Sequence, residues 1–168
     1  KRQVLVSVAV TAIGSITEAG LGSAVLSAAG VGRNAIAAVT SGSRLVPIYC
    51  VARDDRVCAL TVDATWGDDK TMALLDLFDR HGLKVTFFLA GQWIKSYPDK
   101  VREIASRGHE LGNHSWTHPH MSALSRDKIR DELERTQQAI ADLVGKRPAV
   151  FRPPFGDYSN AVITVAQE

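Results

Sequence analysis

One local pattern dominates the chain from residue 57 onward: an amphipathic helix ends at a glycine, and an apolar strand follows. The pattern occurs three times, with the joints at 82–85, 108–111 and 145–150. Repeated β–α–β units of this kind predict a parallel sheet with helices packed outside it, as an open sheet or as a barrel. The fold class predicted from the sequence is therefore α/β.

Apolar spacing and capping residues predict the individual elements. Pro98 is suited to a first helical turn. Ser125 is positioned to cap a long helix through Val144, which Gly145 ends. The predicted strands are 57–62, 84–90, 109–114 and 149–151, and the predicted helices are 69–81, 98–107, 125–144 and 158–168.

Residues 1–43 differ in composition from the rest, because nearly all of them are small or apolar. A basic start and an apolar run over 4–16 are typical of a signal peptide or a weak membrane anchor. Glu18 interrupts the run, so a span of about 20 apolar residues is not complete; a disordered Ala/Gly-rich leader is the alternative. We interpret 1–43 as leader and linker and 44–168 as the α/β domain, and we expect an extracytoplasmic location in the cell envelope, secreted or membrane-anchored.

Two extended runs, 44–52 and 56–63, flank Arg53–Asp55 and predict a β-hairpin. A turn there would place Cys50 opposite Cys58. In an exported protein this pair could be oxidised, and the alternative is two free, buried thiols that pack as small apolar side chains. No catalytic role follows from these cysteines.

The composition excludes several classes of partner and site. Twenty Lys and Arg against 18 Asp and Glu leave a net charge of +2, and no basic run occurs, so nucleic acid is not a predicted partner. Two cysteines cannot form a four-cysteine zinc site or a disulfide scaffold. The hydrophobic content of 45% and charged content of 23% are ordinary for a globular domain.

Three polar side chains follow three of the predicted strands. Asp63 ends the first strand, His114 follows the third and Arg152 follows the fourth. Sites in parallel α/β sheets and barrels form at the carboxyl ends of the strands, so we expect these groups to converge at one mouth. The alternative for Asp63 and Arg152 is a structural ion pair.

His114 and His118 lie four residues apart in NHSWTHPH. On a helical turn this spacing places two imidazoles side by side, which suits a divalent transition metal. An ionised Asp63, its pKa lowered by Arg152, beside a metal-bound water predicts hydrolysis. The alternative is that His114 ends the sheet and His118 lies on the surface; His120 is expected to point elsewhere.

The segments TVDATWG, HSWTHPH and FRPPFGDY resemble the first three motifs of the polysaccharide deacetylases, carbohydrate esterase family four, which contain the NodB homology domain. The resemblance extends from about Val57 to the end, roughly two thirds of the chain. The segment PIYCVARDDRVCALTVDATWGDD is most similar to the sporulation-type bacterial peptidoglycan deacetylases. The resemblance implies a distorted β/α barrel and a hydrolase that removes N-acetyl groups from N-acetylglucosamine or N-acetylmuramic acid units of a cell-wall or chitin-like glycan.

The resemblance also implies a role for each matching residue. Asp63 would be the catalytic base, and Arg152 would orient it. His114 and His118 would bind zinc or cobalt, and the backbone N–H of Phe155 would face the oxyanion of a tetrahedral intermediate. The substrate groove would contain Trp66, Trp116, Pro153, Pro154 and Gly156. The two tryptophans would stack on sugar rings or, alternatively, pack within the protein.

The chain departs from the family pattern in two places. Ala64 stands where the family has a second Asp as third metal ligand, so we expect weak metal binding or none, although Asp68 or Asp69 is an alternative ligand. The chain also ends before the family's last two motifs. We therefore expect a C-terminally truncated chain with an open sheet edge that is poorly soluble and inactive alone.

Three functions follow from these observations. The first is a metal-assisted glycan deacetylase. The second is a non-catalytic glycan-binding relative that has lost the metal site through Ala64. The third is an envelope-anchored structural or interaction protein, in which the α/β domain is a scaffold.

Overall fold

A parallel sheet organises the described part of the chain, which in this computed structural model comprises the backbone of residues 3–4 and residues 44–50 and 58–168. The described strands are β1 (Gln3–Val4), β2 (Thr61–Ala64), β3 (Thr86–Leu89), β4 (Glu110–Asn113) and β5 (Val150–Phe151). They lie in the order β1-β5-β4-β3-β2, and each pairing is parallel. The predicted α/β fold with a parallel sheet is confirmed.

The helices follow the predicted segments, with one addition. The Ser125 side chain accepts a hydrogen bond from the Lys128 N–H at 3.4 Å, and Gly145 ends the long helix with φ +72°. The short helix at 91–96 was not predicted, because six residues are too few to show a helical period. The helices are α1 (Thr71–Arg80), α2 (Gly91–Ser96), α3 (Pro98–Ser106), α4 (Arg126–Val144) and α5 (Asn160–Gln167), with 3₁₀ turns at Met121–Ala123 and Pro154–Gly156.

The alternation of side chains along the central strands separates the core from the site. Phe87 and Leu89 of β3 belong to a buried cluster with residues of α1 to α4. Phe88 points to the opposite face, where it pairs in register with Asp63 on one side and Gly112 on the other. A Cβ at Gly112 would lie 2.5 Å from Phe88 Cδ1, so this glycine is required for the buried ring. A second cluster packs α4 against α5.

The predicted leader and hairpin fall largely outside the described residues. The backbone of Gln3–Val4 pairs with β5, residues 5–43 are not described, and the turn predicted at 53–55 lies outside the described part as well. Leu45 N donates to Asn160 Oδ1 at 2.8 Å, and the Tyr49 hydroxyl lies 3.0 Å from that of Tyr158. The described contacts of 44–50 are thus with the segment that begins α5.

Cys50 and Cys58 are exposed free thiols. This corrects the expectation that they are either bridged or buried. The reason is that the segment before Cys50 contacts the residues beside α5, whereas Cys58 leads into β2 at the other edge of the described sheet. Among the described residues, no helix has the length and apolar character needed to cross a bilayer.

Candidate active site

The carboxyl ends of β2, β4 and β5 meet at an open cleft of about 380 Å³. The structure brings together the three polar residues that follow these strands, as predicted from the parallel topology. The cleft is lined by Asp63, Thr65, Trp66, His114, His118, Arg152, Pro153, Phe155 and Gly156. Trp116 and Pro154, also predicted for the groove, are not part of this lining: Trp116 packs against α2, and Pro154 is buried.

An ion pair between Asp63 and Arg152 forms the floor of the cleft. The guanidinium donates through Nη1 to Asp63 Oδ1 and through Nη2 to Thr61 Oγ1 at 2.9 Å. Its Cζ lies 4.0 Å from the centre of the Phe88 ring. The Arg152 side chain is 8% exposed and that of Asp63 is 42% exposed. Burial lowers the pKa of Arg152, and the Asp63 carboxylate opposes that shift; the group stays charged because an arginine titrates far above neutral pH.

His114 is held as a neutral imidazole with one nitrogen free. Its Nδ1 lies 2.8 Å from the Arg152 carbonyl oxygen, which can only accept, so Nδ1 carries the hydrogen. Nε2 therefore keeps its lone pair and lies 4.0 Å from Asp63 Oδ2. The side chain is 3% exposed, and this burial lowers its pKa below the ordinary 6.5. A neutral imidazole with a fixed tautomer is the form that binds a metal ion or accepts a proton.

His118 reaches the cleft by a different route from the predicted helical turn. Residues 114–118 form an irregular loop, and His118 itself has φ +59°. Its ring centre lies 4.9 Å from that of His114, 5.0 Å from that of Trp66 and 4.7 Å from that of Phe155. Its Nδ1 is buried without a hydrogen-bond partner among the described residues, and burial lowers the pKa of the ring. The two imidazoles are adjacent, as predicted, but an irregular loop rather than a helical turn brings them together.

Glu132 and Asn113 hold the loop that follows β4, and neither was predicted from the sequence. Glu132 Oε2 accepts from the backbone N–H groups of Trp116 and Thr117 at 2.8 and 2.7 Å. Asn113 accepts from Ser115 N at 2.8 Å and donates to the Leu133 carbonyl at 2.8 Å. The available signal was an acidic residue at a core position of α4, between Ile129 and Leu133.

His120 does not line the cleft and does not join the pair of His114 and His118, as expected from the sequence. Its ring stacks on Phe155 with centres 4.3 Å apart and planes 17° apart. Its Nδ1 is 3.8 Å from Asp157 Oδ2, which also accepts from Ser122 N at 2.9 Å. Phe155 has φ +58° and is 61% exposed, so its ring forms part of the rim.

The residues present provide an incomplete set of metal ligands. His114 and His118 supply two imidazoles, but Asp63 is engaged by Arg152. Ala64 lies between Asp63 and Thr65, which line the cleft, but its methyl group has no donor atom and is partly packed against the helix-side core. In residues 44–50 and 58–168, no three His, Cys, Asp or Glu side chains are grouped to hold a metal ion. The donor set fits a weakly held divalent cation rather than a closed protein site.

The two aspartates offered as substitute ligands lie just before the start of α1 rather than in the cleft. The Asp69 carboxylate pairs with Lys70 at 2.9 Å, with its side chain 76% exposed. The Asp68 carbonyl accepts from Thr71 N at 3.0 Å at the start of α1. Neither residue lines the cleft.

Comparison with known proteins gives a consistent family. The polysaccharide deacetylase family model matches residues 51–168. The uncharacterized protein YlxY of Bacillus subtilis is 37% identical over 122 residues, covering 73% of this chain and 38% of that protein. A peptidoglycan-N-acetylglucosamine deacetylase of Bacillus cereus is 35% identical over 99 residues, covering 59% of this chain and 36% of that protein. The chain thus spans less than half the length of these curated relatives.

Solved structures show the same similarity. Wild-type BA3943 from Bacillus anthracis, described as a CE4 family pseudoenzyme, is 34% identical with a TM-score of 0.70, covering 73% of this chain and 43% of that one. A BA3943 mutant with restored enzymatic activity is 36% identical with the same TM-score of 0.70, covering 73% and 45%. A family 4 carbohydrate esterase from Streptomyces lividans, in complex with acetate, is 38% identical with a TM-score of 0.61, covering 65% and 56%.

Proposed function

This chain belongs to the polysaccharide deacetylase family, and from that membership we propose that it carries the base-bearing part of a site that removes N-acetyl groups from a glycan. The substrate we propose is peptidoglycan or a chitin-like polymer, with N-acetylglucosamine or N-acetylmuramic acid as the reacting unit. One observation carries the proposal. A carboxylate, a buried guanidinium and a neutral imidazole meet at the floor of an open cleft.

The proposed roles follow from the contacts of each side chain. Asp63 accepts the proton of the attacking water through Oδ2, the oxygen that faces His114. Arg152 holds that carboxylate in place through Oδ1. The Phe155 N–H stabilises the oxyanion that forms when water adds to the acetyl carbon. Trp66, with 76% of its surface exposed at the rim, provides a flat apolar face for a sugar ring.

His114 and His118 would hold a divalent metal ion, zinc or cobalt, with water completing the ligand set. Bound there, the ion would polarise the attacking water and the acetyl oxygen. The His114 tautomer favours this role, since the Arg152 carbonyl orients the ring and leaves Nε2 free. The missing ligand at Ala64 means that the affinity for the ion is low.

A specific observation favours a second candidate, a non-catalytic glycan-binding relative. Ala64 cannot coordinate, and the described residues do not group three metal-binding side chains. The similarity to a pseudoenzyme points the same way. In this alternative the cleft and the exposed rings of Trp66 and Phe155 bind sugar without hydrolysis.

We further propose an extracytoplasmic location in the cell envelope, because a cell-wall glycan is found there. The basic and apolar start of the sequence supports this proposal and membrane attachment through the N-terminal segment. Cell fractionation with an antibody against the chain tests it. Recovery of the chain from the cytoplasmic fraction alone would refute the proposed location.

The deciding experiment measures acetate release by the complete protein that contains this chain, from N-acetylated chitooligosaccharide and from peptidoglycan, with and without added zinc or cobalt. Metal content by elemental analysis accompanies each assay. Asp63→Asn should lower turnover by roughly 10²- to 10⁴-fold and leave metal content unchanged, since it removes the base and not a principal ligand. His114→Ala should lose both.

Each outcome separates the candidates. Acetate release that disappears in Asp63→Asn supports the deacetylase. Retention on insoluble glycan without acetate release, even with metal added, supports the glycan-binding alternative. Full turnover in Asp63→Asn refutes the assigned base, and a complete protein that neither binds nor hydrolyses glycan refutes both candidates.

A further inference from the structure

The loop that carries His118 is held in an unfavourable backbone conformation. Ser115 has φ +66° and His118 has φ +59°, and only one other non-glycine in the described residues, Phe155, has a positive φ. Such conformations persist only where the surrounding structure over-determines them. The contacts of Ser115, His118 and the two residues between them therefore hold the loop in this shape.

Those two residues share one charged partner, Glu132 of α4. Its Oε2 accepts from Trp116 N at 2.8 Å and from Thr117 N at 2.7 Å, and its Oε1 accepts from the Thr117 hydroxyl at 2.7 Å. Glu132 is 8% exposed and is buried in the middle of a helix. Among the described residues it forms no ion pair, so these N–H and O–H donors alone compensate for its desolvation.

Two further hydrogen bonds hold the loop against α2, but their acceptors are uncharged backbone carbonyls. Gly91 N donates to the Ser115 carbonyl at 2.9 Å, and Gln92 N donates to the Trp116 carbonyl at 3.1 Å. The Trp116 ring covers Gly91 so closely that a Cβ there would lie 2.0 Å from Cε3. The Arg135 guanidinium covers the ring, with Cζ 4.6 Å from its centre.

We propose that Glu132 is a positioning residue for the cleft. Its carboxylate sets the 115–118 loop so that the His118 ring stands against the His114 ring, with centres 4.9 Å apart, at the cleft wall. The kinetic consequence rests on the proposed deacetylase function. The ordering of the loop does not, and it is measured separately.

Two substitutions at Glu132 separate the effect of its three hydrogen bonds from the effect of its negative charge. In Glu132→Gln, the amide oxygen can accept from both backbone N–H groups, and the amide nitrogen can donate to the Thr117 hydroxyl, so all three contacts survive without the charge. Glu132→Ala removes all three. Asp142→Ala is the matched control, because it removes an exposed carboxylate of the same helix whose contact is with Gln138.

The test combines amide hydrogen exchange with kinetics of acetate release from chitooligosaccharide, both on the complete protein that contains this chain. In Glu132→Ala, we expect loss of exchange protection at Trp116 and Thr117 with protection in β3 retained. We expect kcat to fall roughly tenfold to a hundredfold, with a smaller change in KM, because misplaced groups lose transition-state contacts. Glu132→Gln should restore both readouts, and Asp142→Ala should change neither.

Retained protection and kcat in Glu132→Ala would overturn the proposal. So would Glu132→Gln behaving like Glu132→Ala, because the three contacts that Gln retains would then not be what orders the loop. If Glu132→Ala does not fold, Thr117→Val removes the hydroxyl contact alone, and an unchanged kcat and exchange rate there would overturn the proposal. If the wild-type chain releases no acetate, the proposed function fails, and the exchange data alone decide the role of Glu132.

Discussion

Breaking the ion pair between Asp63 and Arg152 should destabilise the fold more than breaking a surface pair. The Arg152 side chain is only 8% exposed, so a lost partner leaves a buried cation. Removing one member of a fully buried pair costs about 3–5 kcal/mol. Water reaches Asp63, which is 42% exposed, so we expect the smaller value of a charged hydrogen bond, about 1.5–3 kcal/mol.

A double-mutant cycle isolates this interaction. Arg152→Met also removes the bond to Thr61 and the contact with Phe88, so its single-mutant effect overstates the pair. Comparing Asp63→Asn, Arg152→Met and the double variant cancels those contributions and leaves the coupling free energy. The control cycle uses Asp99→Asn and Arg102→Met, whose side chains are 93% and 54% exposed and paired at 2.8 Å. We expect a coupling of about 0.5 kcal/mol or less for the control.

The assay is urea unfolding of the full chain at neutral pH, with the free energy of unfolding taken by linear extrapolation. A coupling for Asp63 and Arg152 no larger than that of the control pair would contradict this prediction. The carboxylate would then not be held by the guanidinium in solution, and the proposed base would lack its orienting partner.

Three further predictions follow from other contacts. Because burial lowers the pKa of His109, and its Nδ1 accepts from Val85 N at 3.2 Å, the unfolded chain binds more protons than the folded one below pH 6.5. Lowering the pH from about 7.5 to about 5.5 should therefore remove roughly 1 kcal/mol of stability or less through this group. His109→Asn, which keeps an acceptor, should flatten that dependence of the unfolding free energy on pH in urea titrations, and an unchanged dependence would contradict the assignment. Ala64→Asp should raise zinc affinity by about tenfold or more in titration calorimetry, and an unchanged affinity would mean that position 64 cannot reach the imidazoles. Ser125→Ala should cost about 0.5–1 kcal/mol of unfolding free energy, since it removes the cap on Lys128 N, and an unchanged urea midpoint would show that the cap is dispensable.

Local patterns predicted the fold and the centre of the candidate site. Helical spacing and terminal glycines placed the helices, and the alternation of helix and strand required a parallel sheet. Since parallel strands all end at the same edge, the positions of Asp63, His114 and Arg152 after three strands were enough to predict that they meet. The family motifs then assigned a role to each, and the family is confirmed by the match over 51–168.

Contacts between distant elements were decided by the tertiary structure alone. Helical periodicity indicates that position 132 lies on the buried face of α4. It does not show that the Glu132 carboxylate accepts hydrogen bonds from the backbone of the loop after β4. The stacking of His120 on Phe155 and the position of His118 in the cleft likewise depend on backbone conformations with positive φ, at Phe155 and His118. The spacing of residues in the sequence does not identify such conformations. Periodicity specifies which face of an element is covered, whereas the partner of a buried polar group depends on how elements pack, and packing is set by the whole chain.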